Sequence, residues 1–231
     1  MARALLGTRL VREPDGDAAG SAARRVGRIV EVEAYVGEAD RASHARFGHT
    51  RRTAPMFGLP GFAYVYLVYG MHVCLNIVTE PAGSPVAVLI RAVEPIDGVS
   101  AMRAARLVAS ARRRGDRPEV VDDQRLDRAR RRLDATPVHR LAAGPGLVGA
   151  AFGLTTAFSG LDLLSPGAPL RLEAGAAEEP RQEVIAGPRI GIGYAGPDWS
   201  ARPWRLWIAG HPSLSRPQRD AARGGLPAGR G

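Results

Sequence analysis

The chain has 231 residues, and 45% of them are hydrophobic, which is enough for one sizeable domain with its own core. It contains no run of about 18 apolar residues, and residues 1–7 lack the apolar core of a secretory signal. The single cysteine, Cys74, cannot form an internal disulfide and cannot by itself form a structural zinc site. We therefore expect a cytoplasmic protein without a membrane span.

The formal net charge is +9, which indicates a polyanionic partner, although a GC-rich genome also favours arginine codons. All 32 residues counted as lysine or arginine are arginine. No lysine amine is therefore present to form a Schiff base with a sugar aldehyde, and only the N-terminal amine could replace it. A lysine-dependent lyase step is excluded.

Short strand patterns dominate the first half of the chain, and basic helical patterns follow them. The predicted strands are residues 5–11, 26–35, a hairpin within 61–79 that bends near Gly70, 86–93 and 205–209. The predicted helices are residues 98–114, 122–135 and 147–153, and the predicted loops are 14–25, 37–60 and 174–188.

Strands followed by helices, without regular alternation of the two, predict an α+β fold. We expect residues 1–216 to form one domain, and residues 217–231 to be a disordered basic tail. The arginine runs of the two long helices are typical of a solvated helix face, with contact to phosphates as the less common alternative.

Acidic and aromatic side chains share one face of the second predicted strand. Glu31, Glu33 and Tyr35 follow the two-residue period of a strand. Two buried acids on one face are costly, so a solvent-exposed face is the simpler expectation for this strand taken alone. The alternative is a functional site. Arg91, at the end of the apolar run 86–90, is a candidate buried cation that needs an acid partner, and pairing with Glu33 would meet that need.

The hairpin has an unusual aromatic pattern. Tyr64 and Tyr66 share one strand face, whereas Tyr69 lies beside Gly70 at the predicted tip. A tyrosine at such a tip either folds back onto its hairpin or serves as a flat wedge between base pairs. Asn76, in an otherwise apolar strand, needs a partner for its amide. His44 and His49 lie in the preceding loop without the spacing of a metal motif.

Ordered blocks of sequence carry a resemblance to a known family. They are LLGTRLV (5–11), IVEVEAYVGEADRASHA (29–45), MFGLPGFAYVYLVYGMHVCLNIV (56–78), VLIRAVEPIDG (88–98), LAAGPGLVGAAFGL (141–154) and PRIGIGYAGPDWSARPWRLWI (188–208). With these blocks the chain resembles the alkyladenine (3-methyladenine, or methylpurine) DNA glycosylases of the monofunctional, non-helix-hairpin-helix type. The resemblance implies a single domain with a curved, mostly antiparallel sheet, a protruding hairpin and flanking helices.

The resemblance also implies a hydrolytic mechanism. Glu33 would activate water to attack the sugar C1′ atom, and Arg91 together with the backbone carbonyl of Ile190 would hold that water. The flipped base would stack among Tyr35, His44 and Tyr66. Two further roles would be exclusion of guanine and intercalation into duplex DNA, carried by Asn76 and Tyr69.

The implied partner is duplex DNA that contains a damaged purine, bound by a monomer without metal or cofactor. The chain departs from the family where many members have a lysine after the GPG turn, because Leu147 stands there. A phosphate contact at that position is therefore in doubt. Two other readings remain: a catalytically silent nucleic-acid-binding protein, and an α+β enzyme acting on a small purine or nucleoside.

Overall fold

A computed structural model describes residues 1–14, 23–111, 123–175 and 182–216. Within these ranges the chain forms an antiparallel sheet with helices packed against it, which confirms the α+β prediction. The strands are β1 (Arg9–Arg12), β2 (Arg25–Val36), β3 (Ala63–Val68), β4 (His72–Val78), β5 (Val86–Asp97), β6 (Leu170–Glu173), β7 (Val184–Gly187) and β8 (Arg205–Ile208). The helices are α1 (Ala2–Leu5), α2 (Val99–Ala111), α3 (Asp123–Asp134), α4 (Pro145–Ala151) and α5 (Pro197–Ala201).

Strand β2 lies at the centre of the sheet. The strand order is β3-β4-β5-β2-β1-β6, and β8 pairs with both β2 and β7. One edge of β2 pairs with β5 along almost its whole length. The other edge pairs first with β1 and then, at Glu31–Glu33, with β8. The middle of β2 is therefore enclosed on both sides, and its side chains at residues 31–33 have no exposure to solvent.

The two faces of the sheet have different contents. Val32 of β2, Ile90 of β5 and Leu75 of β4 belong to the main core, which Met102 of α2 and Val148 of α4 complete from the helical side. Because side chains alternate along a strand, the neighbours of these residues point to the opposite face. That face carries Glu31, Glu33, Arg91 and Asn76.

The β3–β4 hairpin ends in a three-residue connection, since Val68 pairs with His72. Tyr69 has φ 53°, the left-handed conformation that a bulky residue rarely adopts, and Gly70 follows with φ 70°. Leu67, Tyr69 and Met71 are 46%, 79% and 59% exposed. Residues 67–71 are named the hairpin tip. Tyr69 does not fold back onto the hairpin, so its aromatic ring is available to a partner.

Several local predictions need correction. The loop predicted at 174–188 contains β7, and β6 precedes it; both are four-residue strands too short to show a period. The strand predicted at 5–11 is instead a helical turn followed by β1. Residues 37–60 contain two short 3₁₀ helices, His44–Phe47 and Ala54–Phe57. None of the described helices is long and apolar enough to cross a bilayer.

Some predictions fall on parts of the chain outside the described residues. They concern the loop at residues 15–22, the arginine run and the break between the two long helices at residues 112–122, and the basic tail at residues 217–231.

Candidate active site

Glu33 lies at the centre of the sheet face opposite the helices and is fully buried. Its Oε2 accepts a hydrogen bond from the Tyr35 hydroxyl at 3.0 Å and is 3.1 Å from Arg91 Nη1. Its Oε1 accepts a hydrogen bond of 2.7 Å from the backbone N–H of Ile190. Partners from β2, β5 and the segment after β7 thus fix the orientation of one carboxylate. The predicted pairing of Glu33 with Arg91 is present.

The prediction that the acidic face of β2 is exposed to solvent was wrong. Glu31 is as fully buried as Glu33, and Arg91 contacts both, with its Nε 3.1 Å from Glu31 Oε1. Pairing of β8 with this part of β2 closes its edge and brings Arg205 Nη1 to 3.2 Å from Glu31 Oε1. The backbone N–H groups of Ser215 and Ile190 donate to Glu31 and Glu33, respectively. Burial and the two nearby carboxylates act on Arg91 in opposite directions, and the carboxylates prevail in raising the Arg91 pKa.

A second buried ion pair connects the loops around this centre. Asp40 accepts hydrogen bonds from Arg189 Nη1 and Nη2 at 2.5 and 2.9 Å, and both side chains have no exposure. The Arg189 guanidinium also lies 4.8 Å from the centre of the Tyr35 ring. A planar, bidentate pair of this kind allows little rotation. It therefore holds the loop after β2 against the segment that contributes Ile190.

His44 and Tyr66 form an aromatic cluster with Tyr64. His44 Nδ1 is 2.9 Å from the Tyr64 hydroxyl, and the His44 and Tyr66 rings meet edge to face at 4.5 Å between centroids. Tyr66 stacks on Tyr64 at 5.2 Å. Burial, reinforced by Arg52 and Arg46, lowers the pKa of His44 to about 4. The imidazole is therefore neutral at pH 7.

Tyr35 and Asn76 complete the set of polar side chains around Glu33 and the tyrosines. Burial raises the pKa of Tyr35 well above its ordinary value, with further contributions from Glu33 and from the neighbouring phenol of Tyr66. Asn76 is almost fully buried and donates from Nδ2 to the Tyr64 carbonyl at 3.3 Å. The backbone bond expected as the structural role of Asn76 is thus present.

Tyr69 lies apart from this cluster, at the hairpin tip. Tyr194, which is 66% exposed, donates from its hydroxyl to the Ala42 carbonyl, and its ring centre lies 5.5 Å from the Arg46 guanidinium, so it contacts the loop that carries His44. Tyr194, Asp40 and Arg189 were not predicted from the sequence as site residues. Asp40 and Arg189 are separated by about 150 residues, and only the folded chain shows that they form a pair.

The sequence predicted a site without a metal ion and without a lysine after the GPG turn. Among the described residues no group of three His, Cys, Asp or Glu side chains could hold a metal ion. Leu147, at the position of that lysine, lies in α4, the helix that begins at the GPG turn and packs on β4. Gly149 makes that packing possible, since an added Cβ would lie 2.1 Å from the Val73 carbonyl oxygen.

The structure has a curved antiparallel sheet, a protruding hairpin and a buried Glu33–Arg91 pair beside tyrosines. These are the features that the sequence resemblance implied, and similarity to known proteins agrees with them. The family model of methylpurine-DNA glycosylase matches residues 1–212, so the chain belongs to this family of DNA repair hydrolases. A relative from Methanocella arvoryzae is 42% identical over 94% of this chain and 90% of its own length. Relatives from Myxococcus xanthus and Bacillus thuringiensis are 41% and 39% identical, each over 94% of this chain and over 87% and 93% of their own lengths. All three are provisionally named 3-methyladenine DNA glycosylases.

Proposed function

We propose that this protein is a monofunctional DNA glycosylase. It flips alkylated or deaminated purines of the 3-methyladenine and hypoxanthine type out of duplex DNA and hydrolyses the N-glycosidic bond, which initiates base excision repair. The observation that carries the proposal is Glu33, a fully buried carboxylate held by Arg91, Tyr35 and Ile190 beside an aromatic cluster. Family membership and the names of the relatives support it.

Glu33 would serve as the base that activates water. Cleavage of an N-glycosidic bond passes through an electron-poor, oxocarbenium-like sugar, so a carboxylate can both take a proton from water and stabilise the positive charge. Arg91 and the carbonyl of Ile190 would hold that water, and the N–H of Ile190 already fixes the Oε1 atom of Glu33. The proton of the attacking water passes to Glu33, and the departing base leaves with the electrons of the broken C–N bond.

The base would stack among Tyr35, His44 and Tyr66. An alkylated purine often carries positive charge, and aromatic faces attract cations. The low pKa of His44 keeps the third wall neutral at pH 7, so this wall does not repel a cationic base. One side of Tyr35 is already covered by Arg189, which leaves the other face for the base. Asn76 would exclude guanine by leaving no room for the exocyclic amino group of that base.

Tyr69 would fill the space that a flipped nucleotide leaves. Its ring is exposed on a narrow hairpin, and a flat apolar group there can occupy the vacated stacking position. This feature favours a duplex substrate over a free nucleoside, which needs no displacement from a stack. The Glu33–Arg91 pair favours an enzyme over a catalytically silent DNA-binding protein, since binding alone does not need a buried carboxylate that can accept a proton.

The remaining predictions extend the same proposal. Without lysine the chain lacks the usual amine for strand cleavage, so the product is an intact strand with an abasic site. Arginines would hold the phosphates, and affinity should fall steeply with salt. Three further properties stay predictions: the protein acts as a monomer, it needs no metal, and it works in the cytoplasm beside the chromosome. The division into a domain at residues 1–216 and a tail at 217–231 also stays a prediction.

The test is a panel of defined lesions in duplex DNA. Purified protein with EDTA should release 3-methyladenine or hypoxanthine and leave a strand that breaks only after alkali treatment. An undamaged duplex of the same sequence is the control. If no damaged purine is released from any duplex, the proposal is wrong; if the strand is cut without alkali, its monofunctional character is wrong.

A further inference from the structure

We propose that Glu31 and Ser215 are positioning residues for the hydrolysis, acting through Arg91. This inference rests on the proposed function and adds two residues to it. Glu31 lies two positions before Glu33 on β2, whereas Ser215 belongs to residues 211–215 after β8, here named the strap.

The Arg91 guanidinium makes three different contacts. Its Nε donates to Glu31 Oε1 at 3.1 Å, its Nη1 is 3.1 Å from Glu33 Oε2, and its Nη2 donates to Ser215 Oγ at 3.3 Å. A guanidinium carries five N–H groups, so these contacts hold its plane and leave one N–H on each terminal nitrogen. Two remaining donors beside Glu33 suit the binding of a water molecule.

Ser215 is fixed with respect to Glu31 by two hydrogen bonds. Its backbone N–H donates to Glu31 Oε2 at 2.6 Å, and its hydroxyl donates to Glu31 Oε1 at 2.8 Å. The strap itself is anchored, because Leu214 is buried in a cluster with Trp207, and Arg140 Nη1 donates to the Leu214 carbonyl at 2.6 Å. The position of Ser215 is thus set by packing at some distance from the proposed water site.

The contacts of Arg91 restrict how it pairs with Glu33. An arginine and a carboxylate prefer a bidentate pair that occupies both carboxylate oxygens. Glu31 and Ser215 engage Nε and one N–H of Nη2 and so hold the guanidinium in an orientation in which Nη1 is its contact with Glu33, at Oε2. Oε1 of Glu33 then has only the N–H of Ile190 as a partner among the described residues, and it keeps a lone pair for water. Without Glu31 and Ser215 the Arg91 guanidinium could rotate and form a bidentate pair with Glu33. That pair would occupy Oε1, the atom that is otherwise available to water.

Stability alone does not account for this arrangement. Two carboxylates buried around one arginine are costly, and apolar residues of similar volume often stabilise a fold equally well or better. Arg205 reaches Glu31 as a second cation, so Glu31 keeps a counter-ion in a protein without Arg91. The geometry points to a role for Glu31 that depends on Arg91 and concerns the reaction.

The test measures single-turnover base release and affinity for lesion-containing DNA in parallel. Ser215→Ala and Glu31→Gln should each lower the maximal rate by about 10- to 100-fold, as expected for lost hydrogen bonds to charged groups, without changing the dissociation constant of the DNA. Ser215→Thr keeps the hydroxyl and should restore most of the rate. Ser213→Ala is the matched control, because Ser213 is buried in the same strap and its hydroxyl forms no hydrogen bond within the described part of the chain.

A double-mutant cycle separates action through Arg91 from a structural role. In an Arg91→Lys background, which keeps the charge but not the three-point contact, Ser215→Ala should cost less than about twofold. Wild-type rates in Ser215→Ala, or an equal loss in both backgrounds, would overturn the inference while the proposed function stands. Absence of base release by the wild-type protein would overturn both.

Discussion

The buried charge network of Glu31, Glu33 and Arg91 and the exposed hairpin tip at residues 67–71 represent opposite ways of building a functional surface. In the network every carboxylate oxygen has a donor within the protein. At the tip Tyr69 is 79% exposed and has a backbone conformation unfavourable for its residue type. The proposed chemistry thus uses groups that the fold holds in place, whereas the proposed contact with the duplex uses a group on which the fold does not depend.

Removal of Arg91 should break this comparison most severely, because it affects stability and activity together. Arg91→Met leaves Glu33 buried without its cation, and breaking a buried ion pair in this way costs about 3–5 kcal/mol of the free energy of unfolding. Chemical denaturation measures that loss. A variant with wild-type stability would contradict the account of a buried pair.

Substitution at the tip should have effects of opposite sign on stability and function. Tyr69→Asn introduces a residue that tolerates positive φ, so it should raise the free energy of unfolding by about 0.5–1 kcal/mol. Loss of the aromatic ring should slow base release about tenfold or more, since stacking on a base is worth about 1–3 kcal/mol.

A fluorescent base analogue at the lesion position measures the flipping step in the Tyr69 variant. Met71→Ala is the matched control, because Met71 is also exposed at the tip but has no aromatic ring. Equal flipping by Tyr69→Asn and the wild type would remove the wedge role.

A further expected effect, which appears only on acidification, is a pH dependence of stability that arises from His44. Its pKa is about 4 in the folded protein, mainly because of burial, against about 6.5 in the unfolded chain. Between these pH values the unfolded chain binds more protons than the folded protein. The free energy of unfolding therefore falls as the pH is lowered from about 6.5 to about 4, and the full contribution of neutral His44 is present above about 6.5.

Thermal unfolding of the wild type and of His44→Gln across this pH range isolates that contribution. The wild type should lose more stability than the variant on acidification. Parallel curves for the two proteins would show that His44 titrates normally and is not the neutral wall proposed here.

Much of the fold was accessible from the sequence because it depends on local patterns. The hairpin, β2, β5 and the helices α2 and α3 have enough residues for their periods to show. The strands β6 and β7 have four residues each, and only pairing across the sheet stabilises them. The burial of Glu31 depends on β8 and on Ser215, both distant in sequence, so the local pattern favoured an exposed face instead.

The candidate site was only partly predictable for the same reason. The pairing of Glu33 with Arg91 followed from the need of a buried arginine for an acid partner, and the structure confirms the pair. The Asp40–Arg189 pair and the contacts of Ser215 with Glu31 and Arg91 left no local signal, because each joins segments more than 100 residues apart. The roles of the predicted residues in catalysis and base recognition stay predictions.

The central claim is that Glu33 activates the attacking water, and Glu33→Gln tests it most directly. Glutamine has nearly the same shape and keeps one oxygen acceptor, so the variant should still bind lesion-containing duplex DNA. Under single-turnover conditions its rate of base release should fall by about 10²–10⁴-fold, the usual contribution of a general base. Base release at the wild-type rate from fully bound DNA would contradict the account.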